Sequence, residues 1–277
     1  MRRRLPCRVR GCAPARRRDA GRHARRRPDR GHQPDDTGAA AAFLRRLRGA
    51  LRQCLGGTAS VAGTVRDCGR VILLNGTSSA GKTTVARMIQ QLRPEPIQHV
   101  ALDQFRDGLP DRFRGLNSPE GTPGARGLNV VPVHAPGGPS EPEVSGTAIH
   151  FGDVGLRMLT GMRHAIAAFA KVGNDVVVDD MRLDHNYLSD YLAALAGIGV
   201  TFAAIHCDAA TLNQRETERP GRFPGTAVLH MHGVHAGCIY DVEVNTGTMS
   251  PRQCAESILA AERTPPKPCA FDRLRES

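Results

Sequence analysis

The 277-residue sequence contains no tryptophan, and aromatic residues make up only 4% of it. The core is therefore expected to be built from Val, Leu, Ile and Ala. Lysine is nearly absent, with three residues (82, 171 and 267) against 35 arginines. The eight cysteines, at 7, 12, 54, 68, 207, 238, 254 and 269, include no C-x-x-C pair. That spacing indicates neither a zinc site nor a disulfide framework, and scattered single cysteines read as reduced and cytoplasmic. Long apolar runs are missing too. The longest early one, Ala39 to Leu44, is too short for a membrane span or for the core of a signal peptide.

Hydrophobic residues still make up 40% of the chain, which excludes wholesale disorder. The net charge of +11 is unevenly spread. Residues 1–69 carry 18 Arg, no Lys and five Asp, a net +13, which leaves −2 for residues 70–277. The basic character thus belongs to the first quarter of the chain. Residues 1–66 are expected to form a disordered, Arg-rich extension, with a basic amphipathic helix at 39–55 whose apolar face holds residues 43, 44, 47, 51 and 55. Three readings of this extension stand side by side. It is a tether for nucleic acid or an acidic surface, an organellar transit peptide, or a leader from a start codon placed too far upstream in a GC-rich gene. The Arg-over-Lys bias favours the last.

The most informative stretch is Gly76-Thr77-Ser78-Ser79-Ala80-Gly81-Lys82-Thr83, which fits G-x-x-x-x-G-K-[ST]. The apolar run Val71-Ile72-Leu73-Leu74 precedes it, and apolar positions 85, 88, 89 and 92 follow at helical spacing. Strand, glycine-rich loop and helix are the context this phosphate-binding motif requires. Glycines let successive backbone N–H groups turn inward toward an anion, and the helix N-terminus adds its positive end. Residues Gly76 to Thr84 are the expected seat of ATP. Lys82 reaches for the β- and γ-phosphates, and the Thr83 hydroxyl for Mg²⁺.

Downstream, strands are expected at 70–75, 97–102, 175–180, 200–206 and 240–246. Helices are expected to about 92, then at 154–171, 186–196, 209–218 and 251–262. This alternation predicts an α/β phosphate-loop kinase fold, a five-stranded parallel sheet with helices on both faces, over residues 67–265. Residues 104–150, rich in Gly and Pro, are expected as an irregular cap over an acceptor pocket, and residues 266–277 as a C-terminal tail.

Ligands of such sheets bind at the carboxyl ends of the strands. Asp103 is expected to end the second strand, where a carboxylate can take the proton of an attacking hydroxyl. Asp179 and Asp180 end the third, as candidate Mg²⁺ carboxylates, with either one free to face the metal. Arg215, Arg219 and Arg222 lie on or just after one helix, and cations there could offset charge on a transferring phosphoryl group. His230, His232 and His235 do not follow a regular zinc-ligand spacing, and only His235 is kept, as a residue that shapes the pocket.

Several segments resemble the chloramphenicol phosphotransferase family. They are Leu73 to Thr83, Ala101-Leu102-Asp103-Gln104-Phe105 with Leu109-Pro110, Val177 to Asp180, Cys207-Asp208, Arg215-Glu216-Thr217, and Tyr240 to Val244. They run in family order over about residues 70–262. The resemblance implies an ATP-dependent kinase acting on a hydroxyl of a small molecule, with Asp103 as base and Lys82 on the phosphates; Arg215 is expected beside the nucleotide. This chain departs from the family where it reads Arg219-Pro220-Gly221-Arg222 in place of Arg-Gly-Asp-Arg, and Asn245 in place of Asp. Two other readings remain at this stage: a nucleotide-binding regulatory or nucleic-acid-associated module that uses the basic extension, and a related small-metabolite kinase.

Overall fold

The computed structural model describes residues 68–134, 144–218 and 225–276. The chain divides into two units, Met1–Ala62 and Gly63–Ser277. The first lies outside the described residues, as does the helix expected at 39–55.

The second unit is built on five parallel strands. β1 (Val71–Asn75) lies at the centre, between β6 (Asp175–Asp180) and β7 (Val200–His206). β2 (Ile97–Ala101) and β8 (Val242–Asn245) close the edges, giving the order β2-β6-β1-β7-β8. Every residue of β1 is buried, as a continuous apolar run in a sheet covered on both faces should be. Side chains alternate across the sheet. Val71 and Leu73 face one layer, with Leu159, Met162 and Ile166 of α4 (Asp153–Lys171) and Tyr187 and Tyr191 of α5 (Tyr187–Ala194). Ile72 and Leu74 face the other, with Val85 and Ile89 of α1 (Lys82–Leu92) and Ile258 and Leu259 of α8 (Pro251–Arg263).

The register aligns the strand ends that matter. Asp179 lies beside both Leu74 and Ala101, and Asp180 beside Asn75. The phosphate loop, the strand-end carboxylates and the segment after β2 therefore leave the sheet together, at the carboxyl ends of its strands.

Three expectations need correction. β2 stops at Ala101, and Asp103 is the second residue of a short helix, α2 (Leu102–Asp107). The Gln104 side chain turns the chain there, its Oε1 accepting from the Ala101 N–H at 3.0 Å. Residues 104–150 are not irregular among the described residues. They include β3 (Arg114–Leu116), α3 (Pro123–Arg126), β4 (Leu128–His134) and the start of β5 (Val144–Phe151), with β4 central in a second, three-stranded sheet. Pro132 disguised β4, since proline cannot donate to a ladder. β3 pairs only with residues 128–130, so Pro132 lies past the paired stretch on that side. Finally, the expected tail includes a helix, α9 (Ala270–Glu276), anchored in the core by Ala270 and Phe271. The Phe271 ring meets Phe202 edge-on at 5.7 Å.

Candidate active site

Residues 76–82 turn from β1 into α1 through two glycines that nothing else could replace without strain. A Cβ on Gly76 would lie 2.4 Å from the Ile205 carbonyl oxygen, and Gly81 has φ 92°. Lys82 folds back over the loop, its Nζ donating to the Gly76 and Thr77 carbonyls at 2.9 Å each. Lys82 Nζ also lies 3.8 Å from Asp179 Oδ1. The Thr83 hydroxyl donates to Asp179 Oδ2 in a short hydrogen bond. The loop's other side is held by α7 (Thr226–His230), whose Ala227 carbonyl accepts from Thr77 Oγ1 at 2.7 Å.

The neighbouring carboxylates of β6 differ in kind. Asp179 turns to the phosphate loop. Asp180 is buried and spent on local bonds, accepting from the Met181 N–H at 2.7 Å and the Tyr191 hydroxyl at 2.8 Å. Burial pushes the Asp180 carboxyl up to about 6, against the pull of the nearby Arg163 guanidinium. Arg163 is itself buried, bound to Asp184 at 2.6 Å and Asp190 at 2.9 Å, and lies 5.3 Å from both the Tyr187 and Tyr191 rings. Strand alternation separates the pair by face, which their adjacency in sequence could not reveal.

A cavity of about 320 Å³ opens where these elements meet. Ser78, Lys82, Thr83 and Asp179 form one wall, and Asp103 and Arg106 another. Leu128, Ile149 and Phe151, from the second sheet, supply an apolar side. Asp103 is half-exposed and accepts from Arg106 Nη1 at 2.7 Å.

Arg215, on α6 (Ala209–Thr217), was expected beside the nucleotide. It braces the loop from behind, donating to the Ser79 carbonyl at 3.3 Å and to Thr246 Oγ1 and carbonyl at 3.0 Å each. Its guanidinium borders a second cavity of about 260 Å³, with Thr84, Thr246, Met249 and Pro251. Arg219 and Arg222 lie outside the described residues.

The histidines of 230–235 go separate ways. His230 Nε2 accepts from the Ile149 N–H at 3.3 Å. His235 Nδ1 meets the Tyr240 hydroxyl at 2.7 Å. That hydroxyl also receives Asn75 Nδ2 at 2.7 Å, while Asn75 Oδ1 accepts from the Arg182 N–H. The backbone bond fixes the amide's orientation, so the Asn75 N–H donates to the tyrosine oxygen. Burial, reinforced by His206, brings the His235 imidazole down to about 4.

Besides the cavity walls of Arg106, Leu128, Ile149 and Phe151, two residues that touch the loop or its carboxylate escaped the sequence reading. Thr246 donates to the Ala80 carbonyl at 2.7 Å, stitching β8 to the loop. His99, in the middle of β2, borders the main cavity, and its Nε2 lies 4.0 Å from Asp179 Oδ2. Burial lowers its affinity for a proton. A polar residue inside a short, largely apolar strand was the available signal for His99.

A family model described as "Chloramphenicol phosphotransferase-like protein" matches residues 69–263, nearly the whole described unit. The chain belongs to that family. A Mycobacterium tuberculosis (strain H37Rv) protein, Rv2636, named as a candidate O-phosphotransferase, is 31% identical over 215 residues, which is 75% of this chain and 88% of that protein. Among solved structures, a sugar kinase from Janibacter sp. shares 16% identity over 73% of this chain and 98% of its own, with a TM-score of 0.48. The APS kinase CysC of M. tuberculosis, in complex with AMPPNP and APS, shares 14% over 71% and 99%, with a TM-score of 0.46. Likenesses this distant add nothing to the argument about the site. The family membership and the phosphate loop establish a kinase-type phosphotransferase with a nucleotide-binding loop.

Proposed function

We propose that the protein transfers the γ-phosphate of ATP to a hydroxyl of a small molecule. One observation carries this reading: Asp103 and the phosphate loop border the same cavity. ATP lays its phosphates over Gly76 to Thr84, with the helix N-terminus and Lys82 beneath them. Its base enters the second cavity, where the Arg215 guanidinium offers a flat cationic face and Met249 and Pro251 an apolar one.

Thr83 and Asp179 offer a hydroxyl and a carboxylate within bonding reach of each other, a hard-oxygen pair that fits Mg²⁺. When bound, the ion would help neutralise charge on the phosphate oxygens. Asp180 is not assigned to it, since both its oxygens already serve Met181 and Tyr191.

The acceptor lies against Leu128, Ile149 and Phe151 with its hydroxyl toward Asp103, which makes the second sheet the acceptor-side cap. Asp103 takes the hydroxyl proton as the oxygen bonds to the γ-phosphorus. The bond from that phosphorus to the β-phosphate bridging oxygen breaks, and ADP leaves. Lys82 stabilises the transferring group, and Arg219 and Arg222 are assigned the same part from their place in the sequence. An apolar wall beside one carboxylate suits a hydroxylated compound with an apolar body, chloramphenicol among the candidates.

The test is an ATP-consumption screen over hydroxylated small molecules, chloramphenicol included, with Lys82→Ala as the blank. Lys82-dependent ADP release with one acceptor class supports the reading. No acceptor-stimulated turnover across the screen would count against it.

A further inference from the structure

His99 Nε2 is buried and has no hydrogen-bond partner, although it lies 4.0 Å from Asp179 Oδ2. A buried polar atom without a partner is destabilising, so such atoms are uncommon in folded proteins unless a ligand or function accounts for them. The His99 side chain is 15% exposed and borders the main cavity, where a nucleotide and its cation would add new polar groups. The register fixes this placement. His99 pairs with Val177 and Ala101 with Asp179, which puts the imidazole two residues below the carboxylate along adjoining strands. Asp179 Oδ2 is already the acceptor for Thr83 Oγ1, so Thr83, Asp179 and His99 form a line from the phosphate loop into the sheet.

We infer that His99 is a positioning residue for Asp179: in the nucleotide-loaded protein its Nε2–H donates to Asp179 Oδ2 and holds the carboxylate at the cation. This rests on the donor-site reading given above. A group that orients a metal-binding carboxylate typically changes metal affinity by about 10- to 100-fold when removed. A residue that only fills space would not distinguish metal-loaded from metal-free nucleotide.

The test uses the full chain with AMPPNP and Mn²⁺. Isothermal titration measures AMPPNP binding with and without the ion, and electron paramagnetic resonance counts bound Mn²⁺. His99→Leu removes the donor. His99→Gln puts an amide N–H near the position of Nε2. Thermal melting of the unliganded variants checks that they fold. The expected result is at least about tenfold weaker Mn²⁺ binding in His99→Leu, metal-free AMPPNP binding as in wild type, and recovery of most of the loss in His99→Gln. Wild-type Mn²⁺ affinity in a folded His99→Leu would overturn the inference. So would an equal loss with and without the ion, which would make His99 a wall of the pocket and nothing more. If His99→Leu does not fold, His99→Gln decides alone, and a loss of tenfold or more there overturns the inference. A wild-type protein that takes up no AMPPNP would instead overturn the donor-site reading and remove the basis for this one.

Discussion

The loop wall and the apolar wall of the main cavity are held by different kinds of contact. Residues 76–83 stand on β1, whose residues are all buried and whose register with β6 and β7 runs along its full length. The loop's shape follows from backbone: the Gly76 approach to Ile205, the positive φ of Gly81, and carbonyls that accept from Lys82. The apolar wall stands on β4 and β5, a separate antiparallel pair whose register shifts between Val133 and His134. It meets α7 through side chains, with the Thr147 and Thr226 hydroxyls bonded and His230 accepting from Ile149. One wall is specified by backbone geometry, which many sequences share. The other is specified by particular side chains, so in the proposed reaction specificity for an acceptor could vary there without disturbing the donor.

The largest effect should come from the loop wall. Lys82→Ala is expected to lower kcat/KM by about 10²–10³-fold, as removal of a preorganised charge at the transferring group does. Steady-state kinetics with any active acceptor would check this. Within about tenfold of wild type, Lys82 would be holding the loop rather than the phosphates.

A substitution remote from both walls should affect stability alone. Phe271→Ala is expected to destabilise the fold by about 3–5 kcal/mol, because the ring is buried against Phe202. Urea titration measures the loss, and kcat per folded molecule should be unchanged. A kcat that falls with stability would tie the C-terminal helix to the site.

On the apolar wall the effects should be smaller and confined to the acceptor. Thr147→Val removes the hydroxyl that meets Thr226 and is expected to raise the KM of the acceptor several-fold, about 1 kcal/mol for one hydrogen bond, with the KM of ATP unchanged. Equal shifts in both would mean that the two walls are not separable.

The smallest effect concerns pH. His235 is neutral in the fold, with its imidazole brought down to about 4, below the ordinary value near 6.5. The unfolded chain therefore binds this proton more readily, and the stability it contributes is present above about pH 6.5 and lost as pH falls through about 4. His235→Gln keeps a hydrogen-bonding side chain beside the Tyr240 hydroxyl and cannot titrate. Between pH 7 and 5 its melting temperature should fall less than that of wild type, and an equal fall would contradict the assignment.

The same contrast explains what could be read from the sequence. The five strands, their alternation with helices and the phosphate loop were legible, because an apolar run before G-x-x-x-x-G-K-T has few structural alternatives. Family order singled out Asp103, the Asp179-Asp180 pair and Arg215, and these residues border the two cavities on either side of the loop. The second sheet was not legible, since Pro132 and the glycines around it imitate a loop and β4–β5 pairing is non-local. Nor could sequence separate Asp179 from Asp180, which differ only by strand face, or single out His99, whose interest lies in a partner 80 residues away. Of the three arginines expected around the phosphates, Arg215 donates to the Ser79 carbonyl of the loop, and Arg219 and Arg222 lie outside the described residues.

The central claim is that the cavity joins a bound phosphate donor to Asp103 as the acceptor's base. Asp103→Asn tests it most directly, with AMPPNP binding and acceptor phosphorylation measured on the same protein. The account predicts nucleotide affinity within about twofold of wild type and phosphoryl transfer reduced by about 10²–10⁴-fold. Transfer at the wild-type rate in Asp103→Asn would contradict it.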